Sequence, residues 1–328
     1  MQSIIRISKL TKKYGEFVAV NNITFDIKEG EIFGLLGPNG AGKTTTISML
    51  STINEPTSGS AKVNGHDIVK DKDRVRASIG IVFQDQSLDD QLTGRENLDL
   101  HGRLYGVPPD ERKRAIIRSL KIVELEDKQN NLVKTYSGGM RRRLEIARGL
   151  IHKPKVLFLD EPTVGLDPQT RRRLWSYIMD LNKKEDMTII LTTHYIEEAE
   201  FLCDRVGIID NGKVIKIGTP DELKDSLGGD IITAVVSNQK AFEKIANENP
   251  EVKNVKGYDK GKVDIATKNG SKLIPELINI AHQNRIDVES IMLKRPSLED
   301  VFISLTGKEI REESGDNTTT MRMRFRGR

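Results

Sequence analysis

Nine consecutive residues, Gly37-Pro38-Asn39-Gly40-Ala41-Gly42-Lys43-Thr44-Thr45, fit the spacing G-x-x-x-x-G-K-[ST] and follow the apolar run Ile32-Phe33-Gly34-Leu35-Leu36. The chemistry this spacing supports is the holding of phosphate. Glycines let the backbone curl so that successive N–H groups converge on phosphate oxygens. Lys43 adds a point charge for β- and γ-phosphates, and the Thr44 hydroxyl is a ligand for Mg²⁺. From Thr44 the chain reads as a helix, whose N-terminus favours negative charge.

Downstream, Val156-Leu157-Phe158-Leu159-Asp160-Glu161 sets four hydrophobic residues before two acids. A carboxylate at the end of a buried strand opposite a phosphate loop can hold the water shell of Mg²⁺, and Asp160 fits that role. Glu161, just ahead of Pro162, fits a general base or water-positioning group. Between these two features, Tyr136-Ser137-Gly138-Gly139-Met140 opens a helix carrying Arg141-Arg142-Arg143. A serine and two glycines at a helix start offer a hydroxyl and open N–H groups, a second anion site.

The hydrophobic period indicates which elements position these groups. Strands are expected over 2–8 and 18–28, with Pro56–Ser60 a loop before a strand around Ala61–Val63 and another at Ile79–Phe83. From about 88 to 150 the pattern turns helical. Thr93-Gly94-Arg95-Glu96 is a capping box, Asp110 is expected to cap a second helix, and a third starts after Ser137. Lys155–Asp160 and Met187–Thr193 are near-continuous apolar runs, as in strands buried on both faces, joined by a helix at about Pro168–Lys183. A strand at Val206–Ile209, an Asn211-Gly212 turn and a strand at Val214–Gly218 end the first domain near residue 222. Over 230–306 the order is βαββαβ, the ferredoxin-like arrangement, and a last helix follows Pro296 with Ser297-Leu298-Glu299-Asp300 as its capping signal. Residues 311–328, with four arginines near the end, read as a disordered basic tail.

Composition narrows the function classes. A chain of 328 residues has room for about two domains. With 52 basic and 48 acidic residues the net charge is +4, a mixed surface that argues against a nucleic-acid partner. The single cysteine, Cys203, excludes an internal disulfide and reads as a buried small hydrophobe in a reducing compartment. No apolar run approaches the roughly 18 residues of a membrane span, and the N-terminus has no signal-peptide core. The expectation is a cytosolic chain that reaches a membrane only through another polypeptide.

In their order, these segments resemble those of ABC-type ATP-binding subunits over about residues 3–222. The resemblance implies an α/β P-loop ABC ATPase domain (1–222) with a mixed-sheet core and a helical subdomain at about 88–150. The ferredoxin-like α+β domain (223–310) would be an accessory to it. It further implies that Tyr14 stacks on adenine, and that Gln84 contacts Mg²⁺ and the attacking water. Ser137-Gly138-Gly139 matches the signature usually written L-S-G-G-Q, with Tyr136 and Met140 in the flanking places. Asp167, in Val164-Gly165-Leu166-Asp167, corresponds to a loop at the subunit boundary, and His194 to the switch histidine at the γ-phosphate.

Leu92–Leu98, Thr135–Arg143, Thr192–Tyr195 and Pro296–Phe302 narrow the resemblance to the daunorubicin/doxorubicin-resistance group. That group implies ATP and Mg²⁺ as cofactors, a second ATP-binding subunit, an integral membrane permease, and a place on the inner face of the cell membrane. The phosphate loop of one subunit would face the signature serine of the other. Because all nucleotide residues precede 225, removal of 225–328 is expected to leave ATP binding intact. Two rival readings remain at this point. One is a non-transport ABC ATPase of translation or DNA maintenance, disfavoured because only one ATPase unit is present and there is no room for long coiled coils. The other is a non-catalytic nucleotide-binding regulator, disfavoured by the presence of both Glu161 and His194.

Overall fold

The computed structural model describes residues 2–85, 87–227, 229–258 and 261–307. β1 (Ser3–Tyr14) and β2 (Phe17–Lys28) pair as a long antiparallel hairpin. β3 (Ile32–Leu36) runs into the glycine loop and α1 (Lys43–Leu50). β4 (Ser58–Val63) returns beside β1 and pairs with β5 (His66–Asp67), giving an antiparallel sheet of order β2-β1-β4-β5. After α2 (Lys72–Ser78) and β6 (Ile79–Val82) come three helices, α3 (Gly94–Leu104), α4 (Pro109–Ile122) and α5 (Gly138–Gly149). Then β7 (Val156–Asp160), α6 (Pro168–Glu185), β8 (Thr188–Thr193), α7 (Ile196–Leu202), β9 (Arg205–Asp210) and β10 (Lys213–Gly218) complete a central sheet of order β10-β9-β3-β8-β7-β6. Its strands are parallel except β10, which runs antiparallel to β9 at the edge.

The central sheet is buried on both faces because its strands alternate two apolar sets. Phe33, Leu35, Phe158 and Ile190 pack with Ile5, Val20 and Phe25 of the antiparallel sheet. Their neighbours Leu36, Leu157, Leu159, Ile189 and Leu191 point the other way, into a core shared with Leu144, Ile146, Trp175 and Ile178 of the helices. Continuous hydrophobic runs are the sequence expression of that two-sided burial.

The C-terminal unit consists of α8 (Pro220–Asp225), β11 (Asp230–Val236), α9 (Gln239–Glu248), β12 (Val252–Gly257), β13 (Lys262–Thr267), α10 (Gly270–Gln283), β14 (Val288–Lys294) and α11 (Leu298–Thr306). Its sheet has the order β12-β13-β11-β14 with every pairing antiparallel, the βαββαβ arrangement. Phe242 of α9 and Leu273 and Leu277 of α10 join Ile232, Ala234 and Ile265 in its core. α11 leaves this unit. It packs on α7 and α8, and its Leu298, Val301 and Phe302 join the core of the first unit with Ala199, Leu202 and Leu223. Cutting the chain at 225 therefore strips apolar cover from the ATPase unit, a cost the sequence pattern did not reveal.

Local differences from the sequence reading have identifiable causes. β1 continues to Tyr14 because Lys9 takes a left-handed φ of 49° and the register shifts between Ile7 and Leu10, returning Leu10 to the buried face. Residues 58–60 are strand, not loop, and meet this bulge at Gly59, where a Cβ would stand 2.1 Å from the Lys9 carbonyl oxygen. α4 begins at Pro109, so Asp110 lies in its first turn with no side-chain cap, since proline presets the first helical residue. Both expected capping boxes form, Thr93 with Glu96 and Ser297 with Asp300. The expected tail at 311–328 lies outside the described residues.

In the helical lobe, His101 and Tyr105 stand 4.8 Å apart by ring centroids, and Tyr105 stacks at 4.0 Å on His152, whose Nε2 lies 2.7 Å from the Ile79 carbonyl. Burial, with the charges of Arg148 and His152, pushes the His101 imidazole down to about 4. The unfolded chain therefore binds the proton more readily, and stability falls as pH drops from the ordinary histidine range to about 4. The loss from this group is on the order of 3 kcal/mol. In denaturant titrations, His101→Gln is expected to lose less stability than wild type between neutral pH and about 4; equal slopes would contradict the assignment.

Candidate functional site

The phosphate loop is set by close backbone approaches. Gly37 donates its N–H to the Thr193 carbonyl at 3.2 Å, and a Cβ there would lie 2.2 Å from the Ile209 carbonyl oxygen. Pro38 accepts from Ala41 N–H at 3.2 Å, turning the loop across Asn39 and Gly40. Gly42, at φ 103°, is the N-cap of α1 and provides no side-chain cap, so the first N–H groups of Lys43, Thr44 and Thr45 open onto the loop. Lys43 is only 4% exposed, and its Nζ donates to the carbonyls of Gly37 at 2.8 Å and Pro38 at 3.0 Å. Burial lowers the Lys43 ammonium's proton affinity, with Glu161 and Asp160 acting against that.

The two acids part at the end of β7. Asp160 Oδ1 accepts from the Thr192 hydroxyl at 2.5 Å and the Thr44 hydroxyl at 3.1 Å. Glu161 takes φ 46°, uncommon outside glycine, and its N–H donates to both the carbonyl and the hydroxyl of Thr192. That turn carries its carboxylate to Lys43 Nζ at 3.2 Å and His194 Nδ1 at 3.3 Å. Burial raises Asp160 above the usual carboxylate range, and hydrogen bonds from Thr192 and Thr44 only partly offset it. For Glu161, burial also pushes upward, but His194 and Lys43 outweigh it and the carboxyl sits low.

Strand order assembles the site. β3, β8, β7 and β6 are consecutive neighbours, and their carboxyl ends carry the phosphate loop, His194, the Asp160–Glu161 pair and Gln84. Val82 is in register with Leu159, and Gln84 follows two residues beyond the end of β6, where it is exposed. Tyr14, at the end of β1, is 47% exposed, accepts from Asn54 Nδ2 at 3.2 Å, and has the Lys12 ammonium 5.1 Å from its ring centre.

The other predicted residues form a second group. Ser137 is the N-cap of α5, its hydroxyl accepting from Met140 N–H at 3.3 Å. Gly138 opens the helix, and a Cβ on Gly139 would meet Thr170 of α6 at 2.4 Å. Asp167 caps α6, accepting from the N–H groups of Gln169 and Thr170 at 3.1 and 3.0 Å. Among the described residues, no hydrogen bond or ion pair joins 137–139 to 37–45.

Sequence reasoning gave no role to three residues. Thr192 orders both acids, and only its place on the neighbouring strand could have indicated that. Glu198 is fully buried and accepts from Thr163 at 2.8 Å and Trp175 Nε1 at 2.9 Å, tying the segment after Glu161 to the helix after His194. Arg142 donates directly to the Asp160 carbonyl at the end of β7 at 2.9 Å.

A strand, glycine loop and helix, with a threonine hydroxyl against a carboxylate on the neighbouring strand end, define a P-loop nucleoside triphosphatase. The family profile described as ABC transporter matches residues 20–164, and that of the ATP-binding protein DrrA1-3-like C-terminal domain matches 218–306. The linearmycin resistance ATP-binding protein LnrL of Bacillus subtilis is 41% identical over 312 residues, 94% of this chain and 100% of that relative. The daunorubicin resistance ATP-binding protein DrrA3 of Streptomyces coeruleorubidus is 38% identical, covering 94% of this chain and 97% of that one. Among solved structures, cbiO1 of Clostridium perfringens, part of an ABC transporter complex, aligns at TM-score 0.64 and 29% identity over 76% of this chain and 97% of that one. A dimeric bacterial ABC transporter cassette aligns at TM-score 0.59 and 31% identity over 66% and 98%. The chain belongs to the ABC transporter ATP-binding family, within the DrrA-like group, and is an ATPase coupled to transport.

The buried Lys43–Glu161 pair has a direct energetic test. Lys43→Met and Glu161→Gln each leave a partner without its counter-charge, so the double variant is expected to cost less than the sum. Denaturant unfolding of the four proteins should give a coupling on the order of 1–3 kcal/mol; additive costs would contradict the pairing.

Proposed function

We propose that this chain powers a drug or antibiotic exporter, working as two facing copies beneath a separate membrane permease. The observation that carries the reading is the division of the site: Lys43 and Ser137 belong to groups that, among the described residues, share no hydrogen bond or ion pair in one protomer. A second copy in two-fold relation would bring its Ser137-Gly138-Gly139 helix start over the first copy's phosphate loop. The dimeric cassette among the structural relatives supports that arrangement. The names of the relatives, which confer resistance to linearmycin and daunorubicin, support the cargo class. A third relative, a Nod factor export ATP-binding protein, supports the outward direction.

The side chains then take definite roles. ATP phosphates lie against the loop N–H groups from Gly37 to Thr45, with adenine on Tyr14. Lys43 turns from Glu161 to the terminal phosphates, which releases Glu161 to accept the proton of the attacking water. The oxygen donors Thr44 and Asp160 converge at 3.1 Å and suit a hard cation, so with Gln84 they would hold Mg²⁺. When bound, Mg²⁺ neutralises charge on the phosphates. His194 donates to the γ-phosphate, and the partner's Ser137 cups it from the other side, with Asp167 beside the boundary. Loss of that phosphate removes the group that both copies hold, and they part.

No helix among the described residues is long and apolar enough to cross a membrane. The relatives matched over nearly their whole length are named as ATP-binding proteins, which supports a permease on a separate chain with this subunit against its inner face. The non-transport alternative is not favoured, because relatives matched over nearly their whole length are resistance and export subunits.

Glu161→Gln is expected to cut ATP turnover by about 10²-fold or more and to accumulate an ATP-bound dimer in light scattering. Rapid turnover in that variant would reject Glu161 as the base.

A further inference from the structure

Of the three consecutive arginines after the signature, two have peripheral partners. Arg141 pairs with Asp90, and Arg143 donates to the Val123 carbonyl and the Tyr177 hydroxyl. Arg142 is 8% exposed and turns toward the strand ends. Its Nε donates to the Pro162 carbonyl at 2.8 Å, and Nη2 to the carbonyls of Asp160 at 2.9 Å and Glu161 at 3.3 Å. Nη1 donates to the Phe83 carbonyl and to Glu145 Oε2, the latter at 2.9 Å. All five donors of the guanidinium fork are used, four of them on backbone that carries the two acids or leads into Gln84.

Glu145, 1% exposed, completes the device. Its Oε1 accepts from the Ser87 N–H at 3.0 Å, on the far side of Gln84. One turn later Arg148 Nη1 donates to the Ser87 carbonyl at 2.7 Å. Residues 142, 145 and 148 are three apart and form one stripe of α5. The loop carrying Gln84 is thus gripped at both ends, at Phe83 and Ser87, by the helix whose N-cap is Ser137.

We propose that the buried Arg142–Glu145 pair is the positioning device that couples the two half-sites of one protomer, holding Gln84's loop and Glu161 in fixed relation to Ser137. The inference rests on the two-copy reading above. In that arrangement Gln84 and Glu161 attend one nucleotide while Ser137 attends the other, so a rigid link between them makes each nucleotide sense its counterpart. A lysine at 142 could not replace the fork, because its donors radiate from a single nitrogen.

The test is ATPase cooperativity in the full chain, with nucleotide affinity of the isolated protomer measured separately by fluorescent ATP analogue in the absence of Mg²⁺. Wild type is expected to show a Hill coefficient of about 2, one for each linked site. Arg142→Gln and Glu145→Ala are expected to bring it to about 1 while protomer affinity stays within about threefold. Glu145→Gln, whose single carbonyl oxygen can accept from only one of Ser87 and Arg142 while its NH2 faces the other donor, is expected to fall between Glu145→Ala and wild type. If Arg142→Gln fails to fold, the two Glu145 variants decide the same question. A cooperative wild type with equally cooperative Arg142→Gln and Glu145→Ala, whatever their melting temperatures, would reduce the pair to a packing role and overturn this inference alone. A non-cooperative wild type would also overturn this inference, while the two-copy reading would stand or fall on whether Lys43 and Ser137 variants complement each other.

Discussion

A lysine ammonium buried at the mouth of a glycine loop must have an anion beside it, and that requirement organises the site. In the free chain the anion is Glu161, 3.2 Å away. Carbonyl oxygens of Gly37 and Pro38 take two more of the ammonium's protons. In the proposed reading a bound triphosphate would supply the negative charge instead, and Glu161 would lose the Lys43 ammonium as its neighbour. On that reading the same ion pair would keep Glu161, the proposed base, occupied until there is something to hydrolyse.

Placing that pair depends on two backbone features. Parallel strands bring the ends of β3, β8, β7 and β6 side by side, so groups far apart in sequence converge at one edge of the sheet. The left-handed turn at Glu161 then separates two adjacent acids. Asp160 faces the Thr44 and Thr192 hydroxyls, and Glu161 faces Lys43 and His194. A strained φ at a non-glycine residue persists only when its surroundings hold it, and here the bonds from Glu161 N–H to Thr192 do so.

Much of this was legible in the sequence because it is written in local patterns. The apolar runs 156–159 and 189–191 read as doubly buried strands, the glycine loop reads by spacing, and the capping boxes at Thr93 and Ser297 read by their acidic partners three residues on. What escaped depends on distant neighbours. The bulge at Lys9 looked like the end of a strand, since a single residue of left-handed backbone leaves no mark in the hydrophobic pattern. The short helices α2 and α7 have too few turns to show a period. α11 reads as an amphipathic helix, yet nothing local says that it covers α7 and α8 rather than its own sheet. The roles of Thr192 and Arg142 exist only once β6, β7, β8 and α5 are in place.

The central claim is that each nucleotide is shared between Lys43 of one copy and Ser137 of another. Mixing two individually inactive variants tests it most directly. Lys43→Ala and Ser137→Arg, each silent alone, can form a mixed dimer with one undamaged composite site. Random pairing predicts that an equimolar mixture recovers activity, up to roughly a quarter of wild type and less if the damaged site holds back its coupled partner, half the dimers being mixed and each having one intact site. A mixture that stays as silent as its components, although mixed dimers form, would contradict the account.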